Sequence, residues 1–349
     1  MNIIKIGNFS IGINLTPFVV CEAGINHNGK LQKALKMIEV AKKAGANAIK
    51  FQTYDANQMI VNKSLKYSYK SQGKKITESM LDMFQRCEFS NDEWFKIKQM
   101  CDKQKIMFLS TPQNPSDLDL LLKIGIPAIK IGSDDFTNIH LLKNFIRTKL
   151  PLILSCGMAT LKEIKTTLTA IGSLKNYPTI LMLTTSEYPT PIQNANLLKF
   201  KTLSKLYPKL LLGYSDHTQG NLAACMALAF GARVFEKHFT LDKNLPGPDH
   251  WFSANPYELK DWIDSINISY ELLGSSEVKP TKNESKMKII ARRCPVTLKT
   301  IQKNDILDEN TVGLRRAGNG LEAKMIFQIY GKKAKQKILI GSLLSNGDF

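Results

Sequence analysis

His217 and His238 are two of only five histidines in 349 residues, and each stands just past a short apolar run. His217 follows Leu210-Leu211-Leu212 in Gly-Tyr-Ser-Asp-His-Thr, and His238 closes the run that begins at Arg233. Imidazoles at neighbouring strand ends can share a divalent metal. Either histidine alone reads better as a satisfied core residue, but the pair favours the metal. Two imidazoles are few for a closed structural zinc site. They suit an open site that keeps waters or substrate oxygens, which points to Mn²⁺ or Mg²⁺.

Two lysines supply the complementary chemistry. Lys50, in Ala-Ile-Lys-Phe-Gln-Thr, and Lys130, in Ala-Ile-Lys-Ile-Gly-Ser, each interrupt an apolar run. A buried ammonium is costly unless an anion neutralises it. Either lysine alone could snorkel to the surface. Two at equivalent positions, with Ser133, Ser155 and Ser215 nearby in the same kind of segment, read as a phosphate or carboxylate cradle. Glu22 is either a structural partner for such a lysine or a group that orients substrate and moves a proton. Asp135, Tyr188 and Asp249 are weaker candidates; turn chemistry alone can explain the two flanked by proline or glycine, Tyr188 and Asp249.

The elements that must position these groups form a repeat. Short apolar runs occur at Phe18–Glu22, Ala48–Gln52, Ile106–Thr111, Ala128–Ser133, Leu152–Ser155, Ile180–Thr184, Leu211–Ser215 and Val234–His238. Helical periodicity fills the gaps, as in Leu31–Ala44, Asp92–Lys103, Asp117–Lys123, Leu161–Ile171 and Leu222–Phe230. Eight continuous apolar strands alternating with helices predict a parallel (β/α)₈ TIM barrel, with reactive groups at the C-terminal strand ends. The tips present Glu22, Lys50 with Gln52, Thr111, Lys130 with Ser133, Ser155, Thr185 with Ser186, Ser215 with His217, and Glu236 with His238.

Three segments stand outside the repeat. Residues 3–6 and 9–13 predict a short hairpin about Gly7-Asn8. The polar excursion between Gln52 and Ile106 reads as a substrate lid, with disorder as its rival. After a 1–273 barrel, residues 274–288 read as a linker, and 289–349 as a small, mainly β module of marginal size for independent folding.

The net charge of +18 does not make this a nucleic-acid protein. Its lysines are spread singly or in pairs rather than clustered on one element, so they read as a solvated surface with a general attraction for anions. The six cysteines include no Cys-x-x-Cys and no zinc spacing, and read as reduced thiols. No apolar run is long enough to span a membrane, and the N-terminus does not resemble a signal peptide. A cytoplasmic location follows as the expectation.

Nine motifs in order resemble the sialic acid synthase family, of the N-acetylneuraminate or legionaminate type. They are Cys-Glu-Ala-Gly-Ile-Asn-His-Asn-Gly (21–29), Lys-Phe-Gln-Thr (50–53), Leu-Ser-Thr-Pro (109–112), Lys-Ile-Gly-Ser (130–133) and Leu-Ser-Cys-Gly-Met (154–158). Tyr-Pro-Thr-Pro (188–191), Tyr-Ser-Asp-His-Thr (214–218), Glu-Lys-His-Phe-Thr (236–240) and Gly-Pro-Asp-His (247–250) complete the set.

The resemblance implies a transferase that condenses phosphoenolpyruvate with an N-acetylated amino sugar and water, giving a nine-carbon 2-keto acid and phosphate. A phosphorylated-sugar synthase and a sugar-binding barrel without turnover are the alternatives. The resemblance makes Lys50, Thr111, Lys130, Ser133, Ser155, Ser186 and Ser215 contacts to phosphoenolpyruvate, with His217 and His238 as metal ligands. Gln52, Tyr188, Asp249 and Arg316 become contacts to the sugar, and Glu22 is implied to steer the enol or the reacting oxygens. Glu22, Lys50 and Lys130 form the catalytic group.

The family's C-terminal module is antifreeze-like (a β-clip), and it implies a domain-swapped homodimer in which Arg316 reaches the other subunit's site. Three departures stand out. Ser186 replaces an asparagine of some members, Asp135 a longer glutamate, and Ala317 the proline beside Arg316. The acceptor itself is open between N-acetylmannosamine and a 2,4-diacetamido-trideoxy hexose.

Overall fold

A computed structural model describes residues 3–349, which divide into two compact units, one ending at Gly274 and the other running Ser275–Phe349. The first opens with the antiparallel hairpin β1 (Ile4–Ile6) and β2 (Phe9–Ile11). Next come β3 (Phe18–Gly24) and β4 (Ala48–Thr53), then a second hairpin, β5 (Lys66–Ser71) and β6 (Lys74–Ser79). The sheet continues through β7 (Met107–Pro112), β8 (Ile129–Ile131), β9 (Leu152–Ser155), β10 (Thr179–Leu183), β11 (Leu211–Asp216) and β12 (Ala232–His238).

Strands β3, β4 and β7 to β12 form one eight-stranded parallel sheet, and its end strands β7 and β8 lie side by side to close the barrel. All eight predicted runs are strands.

Alternation along the strands sorts the core into two layers. Val20, Ala48, Leu109, Ile153, Met182, Leu211 and Val234 pack inside the barrel, together with Ile4, Ile6 and Ile11 of the first hairpin. Their neighbours Val19, Ile49, Phe108, Leu154, Leu181, Leu212 and Phe235 face the helices. The helices begin where their caps dictate. Ser90 with Glu93, Thr160 with Glu163 and Asn255 with Glu258 form capping boxes that satisfy the free N–H groups of the first turn. Helix Leu31–Ala44 ends at Gly45, whose φ of 96° is left-handed, a conformation glycine adopts without steric cost. Among the described residues no helix is long and apolar enough to cross a membrane, and all six cysteines are free thiols.

The excursion after β4 is ordered. It contains the β5–β6 hairpin and helix Met80–Gln85, whose first turn is capped by the Ser79 side chain. The predicted 274–288 linker also holds more structure than expected. Helix Lys282–Ala291 starts within it, because Thr281 and Glu284 build a capping box ahead of a run of good helix formers. The remainder of that unit pairs β13 (Arg293–Thr297) with β14 (Val312–Arg316) around a small core of Ile301, Leu307, Val312, Ile329 and Ile338.

Candidate active site

The interior face that carries Val20, Ala48 and Val234 continues two residues onward to Glu22, Lys50 and Glu236, and then to Gln52 and His238. Leu109, Ile153 and Leu211 are likewise followed, on the same face, by Thr111, Ser155 and Ser215 (four residues on, in the last case). Apolar residues plug the barrel, and at the C-terminal ends the same rows become polar. The result is a cavity of about 600 Å³ lined by these side chains.

One half of it binds charge. Lys50 Nζ lies 2.8 Å from Glu22 Oε1, 3.9 Å from Glu236 Oε1 and 3.4 Å from Thr111 Oγ1. Lys130 Nζ donates to Ser155 Oγ at 2.7 Å and lies 3.5 Å from Glu236 Oε1. Gln52 donates to Glu22 at 3.0 Å, and Ser215 to Glu236 at 3.2 Å. Burial works against the Lys50 ammonium, but Glu22 and Glu236 outweigh it and hold its pKa above the ordinary lysine value. Burial outweighs the carboxylates at Lys130 and pulls its pKa down. Glu236 is buried too, yet Lys130 and Lys50 hold its carboxyl down to about 2. Two lysines and two carboxylates thus face each other in the resting site; burial raises the Glu22 pKa against the pull of Lys50, and Glu22 Oε2 and Glu236 Oε2 have no hydrogen-bond partner.

The other half is imidazole. The His217 and His238 rings lie 5.5 Å apart, and Tyr188 packs on His217 at 4.1 Å. Burial keeps both rings neutral, with pKa values down to about 3. His217 Nδ1 donates to the Thr185 carbonyl at 2.7 Å, which leaves Nε2 as the acceptor nitrogen, with the Ser215 hydroxyl 3.5 Å away, the tautomer usual for a metal-bound histidine. His238 Nδ1 is buried without a partner. The lone pair of His217 Nε2 and the unpartnered nitrogen of His238 fit a divalent ion. Among the described residues no group of three or more His, Cys, Asp or Glu is arranged to hold one. Further ligands would therefore be waters or substrate oxygens, as expected for Mn²⁺ or Mg²⁺.

Ser133 and Ser186 approach the cavity from the loops after β8 and β10. A Cβ on Gly157 would stand 2.6 Å from Ser133 Oγ and 2.5 Å from Ser186 Oγ, so only glycine admits both hydroxyls there. Asp249 Oδ2 lies 4.0 Å from His238 Nδ1, and burial, then Glu22, pushes its carboxyl up to about 7.

Asp135 is not among the side chains that line the cavity. Its carboxylate accepts from Asn138 Nδ2 at 2.9 Å in the turn leading to helix Ile139–Phe145, and its neighbour Asp134 lines the cavity instead. Arg316 ends β14 in the second unit, exposed and paired in register with Arg293. His250 is tied to Thr240 and Asn28, and His140 is exposed on its helix. Glu236, which the sequence offers only as a strand tip, is a central member of the site. Its place two residues after Val234 and two before His238 was the available signal.

Fold and site together define a (β/α)₈ barrel whose mouth sets two buried lysines and two carboxylates beside two neutral histidines. The NeuB family model matches residues 37–278. The N,N'-diacetyllegionaminic acid synthase of Legionella pneumophila is 34% identical over 95% of this chain and 94% of its own length. The enzyme of the same name from Campylobacter jejuni is 38% identical over 90% and 95%. The crystal structure of N-acetylneuraminic acid synthetase from Leptospira borgpetersenii, in complex with citrate, superposes with a TM-score of 0.73. It is 34% identical, covering 82% of this chain and 95% of that one. The chain belongs to the NeuB family, and is a phosphoenolpyruvate-dependent synthase of the nonulosonic acid class.

Proposed function

We propose that this site joins phosphoenolpyruvate to the open-chain aldehyde of an N-acetylated amino hexose, and that Lys50 and Lys130 hold the phosphate and carboxylate. The observation that carries this reading is the opposition, across one cavity, of two buried lysines and two neutral histidines.

Carbon 3 of phosphoenolpyruvate attacks the aldehyde carbon, forming the new C–C bond as the aldehyde oxygen takes a proton. Water adds to carbon 2, and the resulting tetrahedral centre expels phosphate by C–O cleavage, leaving a 2-keto acid. A divalent ion at His217 and His238 would supply Lewis acidity to the aldehyde oxygen.

Lys50 and Lys130, with Ser133, Ser155, Ser186, Ser215 and Thr111, orient the anion and convert a bimolecular encounter into an aligned one. Arrival of the substrate's negative charges frees Glu22 from its 2.8 Å pairing with Lys50, and a buried carboxylate so released can take the proton of the attacking water. Gln52, Tyr188 and Asp249 contact the amino sugar. Arg316 does so from a second subunit of a domain-swapped homodimer, an arrangement suited to a C-terminal core as small as this one.

Phosphoenolpyruvate carrying ¹⁸O at the bridging position tests the sequence of steps. The label is expected in the released phosphate. Label retained in the keto acid would exclude addition of water at carbon 2.

A further inference from the structure

The β11–β12 ladder ends with Asp216 opposite Lys237, so His217 and His238 each stand one residue past its last pair. Side chains alternate along a strand, and Asp216 and Lys237 therefore point away from the cavity, toward the helices. There they form a closed polar network. Lys237 Nζ lies 2.9 Å from Asp216 Oδ2, with both side chains buried. The same ammonium donates to the Thr218 carbonyl at 2.7 Å and lies 5.6 Å from the centre of the Trp262 ring, within cation–π range.

Asp216 Oδ2 also accepts from Nε1 of Trp262, on helix Pro256–Leu273, at 2.9 Å. Its Oδ1 accepts from the Thr218 N–H at 2.9 Å and from the Thr218 hydroxyl at 2.7 Å. These bonds fill the acceptor capacity of the carboxylate. A buried polar network satisfied in this way is rigid. Lys237 thus bonds to both chain neighbours of His217, and is itself the residue before His238. One ammonium fixes the chain on both sides of one imidazole and at the root of the other, where the ladder has ended. Stability alone does not call for such a pair, since well-packed apolar residues of similar volume serve as well.

We propose that Asp216 and Lys237 are positioning residues. Acting through His217 and His238, they hold the two rings at the 5.5 Å spacing from which both can reach one divalent ion. The proposal rests on the metal reading above and adds what keeps its ligands in place. Groups that orient metal-binding histidines from behind govern affinity by roughly 10- to 100-fold.

The test is the Mn²⁺ dissociation constant of chelator-stripped protein, followed by paramagnetic resonance with no substrate present. Lys237→Met removes the ammonium and leaves Asp216 buried and unpaired, which also lowers stability. Combining Asp216→Asn with Lys237→Met removes the pair without stranding a charge, and should recover much of that stability. Both proteins should bind Mn²⁺ roughly 10- to 100-fold more weakly than the wild-type chain. Ile97→Ala, which opens a cavity in the buried layer between strands and helices, should lower the denaturation midpoint and leave Mn²⁺ affinity in place. Wild-type affinity in the folded double variant, or an equal weakening in Ile97→Ala, would make the pair a stabilising element only and overturn the proposal. If Lys237→Met does not fold, the double variant decides. A wild-type chain that binds no Mn²⁺ would overturn the metal reading, and the proposal with it.

Discussion

Lys50 Nζ sits 2.8 Å from Glu22 Oε1, with both side chains buried and the two residues paired in register across β3 and β4. The lysine proposed to bind substrate is therefore held charged by the carboxylate proposed to move a proton. Glu22→Gln keeps the shape and the Gln52 neighbour while removing the base. Its kcat should fall roughly 100- to 1000-fold, with the phosphoenolpyruvate KM unchanged or lower. Lys50→Met should behave differently, leaving Glu22 buried and unpaired at a cost of about 3 kcal/mol, seen as a lowered denaturation midpoint. Steady-state kinetics and denaturant titration separate the two.

The neutral rings of His217 and His238, 5.5 Å apart with His238 Nδ1 buried without a hydrogen-bond partner, predict metal binding that needs no turnover. Titration of the chelator-stripped protein with Mn²⁺, followed by the loss of free-ion paramagnetic resonance signal, should show one site per chain. His238→Gln should weaken it at least tenfold, since the second imidazole is half of the protein's ligand set. Saturable binding that is equal in both proteins would remove His238 from the site.

Acid should destabilise the fold through His27. Its ring stacks on Phe89 at 4.3 Å, its Nδ1 accepts from Gly29 N, and burial holds its pKa down to about 3. Between an unfolded value near 6.5 and that folded value, the unfolded chain binds the extra proton. Stability is therefore lost as pH falls through this window, by about 1.4 kcal/mol per unit from this residue. His27→Phe should flatten the slope of unfolding free energy against pH between 6 and 4. An unchanged slope would mean that His27 does not titrate on unfolding.

The proposed reach of Arg316 into a second subunit predicts complementation. Arg316→Ala should raise the acceptor KM, and Lys130→Met should be inactive. Co-refolded together, the two variants form heterodimers with one intact site, so roughly a quarter of wild-type activity should return. No recovery in a verified heterodimer would place Arg316 outside the partner's site.

Much of this was legible in the sequence, because interior packing imposes a short apolar run on every barrel strand and a polar residue at each tip. That is why Lys50, Lys130, His217 and His238 could be placed before any coordinates. Glu236 escaped because the neighbouring His238 drew the functional reading, although both lie on the interior row that begins at Val234. Asp134 and Asp135 could not be told apart, since a turn rather than a periodic element decides which of two adjacent carboxylates faces inward. The excursion reads as a lid, but which of its residues, Met80, Met83 and Phe84 among them, line the cavity is not legible for a related reason. They face the cavity through the tertiary fold of the excursion, and nothing in their local pattern separates them from an ordinary surface segment.

The most direct test of the account is the stoichiometry of one reaction, with phosphate measured by colour and keto acid by mass. Phosphoenolpyruvate, an N-acetylated amino hexose and Mn²⁺ together should yield equal amounts of phosphate and nine-carbon product, and omission of any one should abolish both. Phosphate released without the acceptor, or full turnover in excess chelator, would contradict it.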